Sequence, residues 1–179
     1  MKKVLDWLLD QGLNINAPSE EAHYSDSNRE GHDNAVGVLN RAATYDDVDI
    51  LDHLVARGAE PTHSNALHHA AMSFTMVAYL IGNYKLDVNA DDSRGGLNAQ
   101  TLGSGPWGCP LNYPVSNSNL LAVESLLKYG AEVGDSPAIA ISKGHAPSLK
   151  LPLDHGADSS EALDTAVRMD FVDSCKPCL

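Results

Sequence analysis

Side chains able to move protons, stack on a ligand or grip a carboxylate gather in a few short stretches of this chain. His23, Tyr24, His32 and Asp33 share a polar run from Ala17 to Asp33. Histidine titrates nearest neutral pH and a neighbouring carboxylate can orient its ring, so this set suits acid–base chemistry or a polar ligand contact. The plainer reading of the run, which has no helical period, is a solvated loop. A second stretch, Asp91 to Gly108, carries Arg94 and Trp107 among Gly95, Gly96, Gly103, Gly105 and Pro106. Such glycine density implies shaped turns rather than a helix. Trp107 fits two roles equally, a plug that packs the loop down and a ring that meets a ligand.

Several chemistries lack the spacing they need. The chain has 8 His and 24 Asp plus Glu, yet no His-x-x-His or His-x-x-x-His pair. His68 and His69 are adjacent, so a helix points their rings in different directions. We therefore expect no metal and no cofactor. Cys175-Lys176-Pro177-Cys178 has a two-residue gap but no second pair, and a frayed tail accounts for it. Gly103-Ser104-Gly105 is a turn and not a nucleophile elbow, because no Gly-x-Ser-x-Gly is present. An acid–base site needs no linear motif, which leaves enzymatic activity open, with the balance against it.

Composition narrows the partners. The formal charge of −12 opposes a nucleic-acid partner, since phosphate binding needs clustered Lys and Arg. It opposes an anionic membrane surface for the same reason. No apolar run spans a bilayer, and Met1-Lys2-Lys3-Val4-Leu5-Asp6 lacks the core of a signal peptide. Three cysteines suggest no secreted disulfide framework, so a cytoplasmic chain is expected, the nucleus being the second choice. A length of 179 residues with 43% hydrophobic content fits one folded domain.

The elements that must position these residues recur. Gly58-Ala59, Gly130-Ala131 and Gly156-Ala157 each follow apolar residues seven, four and three positions earlier, as does Gly12. Leu51, Leu54, Val55 and Val123, Leu126, Leu127 are two such sets; the others are Leu5, Leu8, Leu9 and Leu149, Pro152, Leu153. This spacing lines one helical face, and glycine ends the helix with a left-handed cap. Val77, Leu80, Ile81 form a fifth copy without the glycine. A shorter helix precedes each: Ala66-Leu67-His68-His69-Ala70-Ala71, Val38-Leu39-Asn40-Arg41-Ala42-Ala43, and weaker copies at 110–115 and 162–167.

This pattern resembles the ankyrin repeat, with its Thr-Pro-Leu-His-x-Ala-Ala first helix and a second ending Leu-Leu-x-x-Gly-Ala-Asp-x-Asn. Cys109-Pro110-Leu111-Asn112 and Asn65-Ala66-Leu67-His68 come nearest to the opening motif. The resemblance implies an all-α ankyrin-repeat solenoid of about five to six divergent helix-turn-helix repeats across a single domain, 1–179. Approximate repeats are 1–16, 34–62, 63–90, 109–134, 135–158 and 159–179, with long finger insertions at 17–33 and 91–108 and clipped fingers elsewhere. Stability then sums contacts between neighbours. Residues 1–11 read as a second helix without its first, and 161–173 as a first helix with little after it. These ends read as natural caps, a trimmed chain, or a subunit contact that supplies the missing halves.

The resemblance also places a groove. Its helix positions follow the Ala-Ala pair: Thr44 and Tyr45, Met72 and Ser73, Ser116 and Asn117, Ser142 and Lys143. His68 takes the structural motif position, while His69 is the better ligand candidate. Pro114 should kink its short helix, and Pro152 should kink or fray the second helix of the fifth repeat. The candidate binding set is His23, Tyr24, His32, Asp33, Tyr45, His69, Arg94, Trp107, Tyr113 and Asn117, with no catalytic assignment. We expect a scaffold that binds another protein through its concave groove and fingers. The competing expectation is a small-molecule or catalytic pocket closed by loops 17–33 and 91–108, using His, Asp and Tyr groups.

Overall fold

The computed structural model describes residues 2–17, 37–70, 73–91 and 108–168. Ten α-helices and no strand occur among them. The chain divides into two compact units, Met1–Leu86 and Asp87–Leu179.

The first unit holds α1 (Lys2–Asp10), α2 (Gly37–Thr44), α3 (Val48–Ala56), α4 (Ala66–His69) and α5 (Phe74–Tyr84), with a 3-10 turn at Pro61–His63. Leu39, Ala42 and Ala43 of α2 are buried together with Leu51 and Leu54 of α3, and Ala66, Leu67 and Ala70 belong to the same core. Alanine on the first helices lets neighbours approach closely, while leucine on the second helices fills the space between. Met76, Val77 and Leu80 bury the inner face of α5. Each such leucine contributes about 1.5–3 kcal/mol relative to exposure.

Caps set the boundaries of the second helices. Asp47 accepts from Ile50 N–H at 2.9 Å, opening α3, and Ser73 accepts from Met76 N–H at 3.2 Å, opening α5. Gly12 and Gly58 end α1 and α3 with φ of 89° and 100°. Lys85 does the same job after α5 with φ 55°, although it carries a side chain. α1 is held to α3 by charge: Asp6 Oδ1 lies 2.8 Å from His53 Nε2 and 2.7 Å from Arg57 Nη1, and Asp10 meets Arg57 Nη2 at 2.6 Å.

The second unit holds α6 (Asn112–Ser116), α7 (Leu120–Lys128), α8 (Ser136–Ser142), α9 (Ala146–Asp154) and α10 (Ser159–Arg168). Leu111 and Val115 flank the core from α6, Val123 and Leu126 from α7, and Ile139, Ala140 and Ile141 from α8. Asn119 caps α7 through Ala122 N–H at 3.3 Å. Gly130 and Gly156 repeat the left-handed closure, with φ of 87° and 96°.

The two prolines sit in different parts of their helices. Pro114 lies in the first turn of α6, where its missing N–H has no intrahelical acceptor to satisfy; Tyr113 N–H already takes Pro110 O at 3.4 Å. Pro152 sits inside α9, yet the helix runs on to Asp154 rather than fraying. Its buried ring packs in the core, and its carbonyl accepts from His155 and Ala157 N–H at 3.2 and 3.0 Å. The last helix starts at Ser159, two residues before the expected 161, and the described residues end with it.

One device appears in each unit. Asn16 donates Nδ2–H to Gly58 O at 3.0 Å and accepts from Glu60 N–H at 3.0 Å. Asn89 repeats it, donating to Gly130 O at 3.4 Å and accepting from Glu132 N–H at 2.8 Å. Each asparagine is preset by a tight turn, Asn14 or Asp87 accepting its N–H at 2.9 Å. Each clamp therefore ties the turn after one second helix to the turn after the next.

Candidate functional site

The groove positions are the last residues of the first helices and the turns beyond them. Thr44 ends α2, and its hydroxyl donates to Asn40 O at 2.9 Å. The same oxygen lies 3.3 Å from His69 Nδ1. Next to this pair Tyr45 stands out from the turn, 72% exposed. Thus the first unit brings Tyr45 and His69, both candidates, to adjoining turns of one face.

In the second unit Tyr113 is half-buried and Asn117 is exposed. Asn117 Nδ2 donates to Tyr113 O at 3.0 Å. Ser116 Oγ also donates to Tyr113 O, at 2.8 Å, and Ser142 Oγ to Ile139 O at 2.8 Å. Short helices leave their final carbonyls unpaired, and these hydroxyls and the amide satisfy them. The polar groups read from sequence as an adaptable binding surface are therefore largely engaged with their own helices.

The register at Ser73 requires a correction. Ser73 is the N-cap of α5, whereas Tyr45 at the matching position lies in the turn before the cap of α3. The chain reaches its cap sooner after Ala70 than after Ala42, and α5 is correspondingly longer, 11 residues against 9 in α3. Ser73 Oγ donates to Asp46 Oδ1 at 2.7 Å, and Thr75 Oγ1 reaches the same carboxylate at 3.4 Å. Asp46, in the left-handed region at φ 57°, thereby joins the turn of Tyr45 to the start of α5.

His23, Tyr24, His32, Asp33, Met72, Arg94 and Trp107 lie outside the described residues, and so do most of the two long insertions. His68 is buried at the motif position, as are Asn40 and Asn112 at the matching places of α2 and α6. A cavity of about 280 Å³ lies between α8 and α10, bordered by Val133, Asp135, Pro137, Asp158, Glu161 and Thr165. None of the candidate residues lines it. Among the described residues no group of three or more His, Cys, Asp or Glu is arranged to hold a metal, and no helix is long and apolar enough to cross a membrane.

Sequence reasoning missed one polar centre. Asp52 of α3 accepts Tyr79 O–H through both oxygens at 2.7 Å and Tyr84 O–H at 2.6 Å. The two rings pack edge to face, 6.0 Å between centroids. The hydrogen bond to Asp52 raises the pKa of Tyr79, while burial and then the same carboxylate raise that of Tyr84. Both phenols stay protonated near neutral pH, and their hydrogen bonds to Asp52 join α3 to α5.

Paired helices of this kind, short inner and longer outer, closed by left-handed residues and clamped from turn to turn, define a tandem helix-pair repeat protein. Comparison with known families makes that specific. The family described as ankyrin repeats (3 copies) matches residues 39–136, more than half of the chain, and the chain belongs to the ankyrin repeat family. No curated protein matches it. Members of this family are in general protein-interaction modules.

Proposed function

We propose that this chain is a protein-binding scaffold that presents the ends of its first helices, together with its fingers, to a partner protein. The observation that carries this reading is Tyr45, an aromatic side chain 72% exposed on a turn fixed by hydrogen bonds. Water-exposed rings on rigid turns supply large contact area at small entropic cost, which is why they dominate binding surfaces. Thr44 precedes Tyr45 in the chain and pairs with His69 at 3.3 Å, which fixes the two turns against each other. A further protein is the partner that this mixture of ring, hydroxyl and imidazole fits best.

The test places a photoreactive amino acid at position 45 of the full chain in cells, and at exposed Lys150 on α9 as a control. We expect a discrete protein adduct from position 45 and none from position 150. Adducts from position 150 alone, or from neither site, would count against the reading.

A further inference from the structure

Beside Tyr45 the first unit exposes a second ring. Phe74, the first residue of α5, is 49% exposed. The Ser73 to Asp46 hydrogen bond at 2.7 Å draws these two segments together, and each ring is the sequence neighbour of one of its partners. The surroundings are one-sided in charge. Asp46 and Asp49 are exposed, Asp47 is half-buried as the α3 cap, and no Lys or Arg occurs from Ala42 to Ala56. α5 carries no charged residue at all. Arg41, exposed one turn back on α2, adds a single cation, and the local balance stays negative.

Two exposed rings beside carboxylates are complementary to a cation on a flexible stem. The methylenes of a lysine or arginine can lie along such rings while the charged head meets the carboxylates. We propose that this edge docks a lysine- or arginine-bearing segment of the partner protein, a claim that rests on the protein-binding reading above. The carboxylates select for charge and the rings hold the stem. An acidic segment is excluded by like-charge repulsion.

The experiment is selection of a random-peptide phage library on the intact chain, followed by affinities of the enriched peptides for wild type, Tyr45→Ala, Asp49→Asn and, on the second unit, exposed Leu121→Ala. Tyr45 and Asp49 are exposed, and unchanged thermal unfolding verifies that the variants fold. We expect enriched peptides to carry Lys or Arg next to apolar residues. Their affinity should fall tenfold or more in Tyr45→Ala, fall several-fold in Asp49→Asn, weaken as salt rises and hold in Leu121→Ala. Enriched peptides without excess cation, or cationic ones indifferent to Tyr45→Ala and Asp49→Asn, would overturn this docking edge while leaving protein binding intact. A library with no enriched peptide would overturn both.

Discussion

Lys85 occupies the backbone region that glycine fills at Gly12, Gly58, Gly130 and Gly156. A side chain there costs about 1–2 kcal/mol, partly offset because glycine has more freedom to lose on folding. Lys85 is exposed and its side chain has no packing role to forfeit. Lys85→Gly should therefore raise stability by about 0.5–1 kcal/mol, read as a higher urea midpoint with an unchanged slope. Asn89 is the opposite case. Its amide satisfies Gly130 O and Glu132 N–H together, so Asn89→Ala should lower stability by about 1–2 kcal/mol in the same assay. Left-handed closure was readable from sequence because glycine is its usual residue. The clamp was not, because its partners are backbone atoms of the following repeat, which no side-chain pattern reports.

At the scale of elements, apolar spacing located every second helix, since a 3.6-residue period needs no tertiary knowledge. Registers between helices were harder. The Ala-Ala spacing that puts Thr44 and Tyr45 at the end of α2 and the turn after it does not hold at Ser73, because α5 begins earlier and runs longer than α3. Pro152 was expected to kink or fray α9; the helix continues to Asp154, and burial of the ring in the core offsets the hydrogen bond it removes. The α3–α5 junction pairs Asp52 with tyrosines 27 and 32 residues later, so no linear motif marks it. Tyr84→Phe should cost about 1 kcal/mol while Tyr79 still satisfies the carboxylate. The pH dependence follows from the raised pKa. The unfolded phenol ionises first, so the contribution of Tyr84 is complete below about pH 10 and is lost as pH rises through its folded value. The stability gap between wild type and Tyr84→Phe should stay level from about pH 6 to 9 and shrink above about 10 in urea titrations.

Across the whole molecule, each unit is written in the same order. An asparagine clamp, Asn16 or Asn89, precedes a helix pair, α2–α3 or α6–α7. A clipped connection then leads to a second pair, α4–α5 or α8–α9. The family membership and helix pairs were legible because their signals are local and repeated. The candidate surface was only partly so. Tyr45 and His69 were named from register alone, whereas the engagement of Thr44, Ser116, Asn117 and Ser142 by their own helices depends on carbonyl geometry that composition does not display.

That difference gives the central claim its sharpest test: binding rests on the exposed ring of Tyr45 and not on groove hydroxyls already spent on helix ends. The measurement is calorimetric titration of the partner captured at position 45 against wild type, Tyr45→Ala, Ser116→Ala and Ser142→Ala. The account predicts at least a tenfold loss of affinity for Tyr45→Ala, about 1.4 kcal/mol, with both serine variants near wild type. Full affinity in Tyr45→Ala with losses in the serine variants would contradict it.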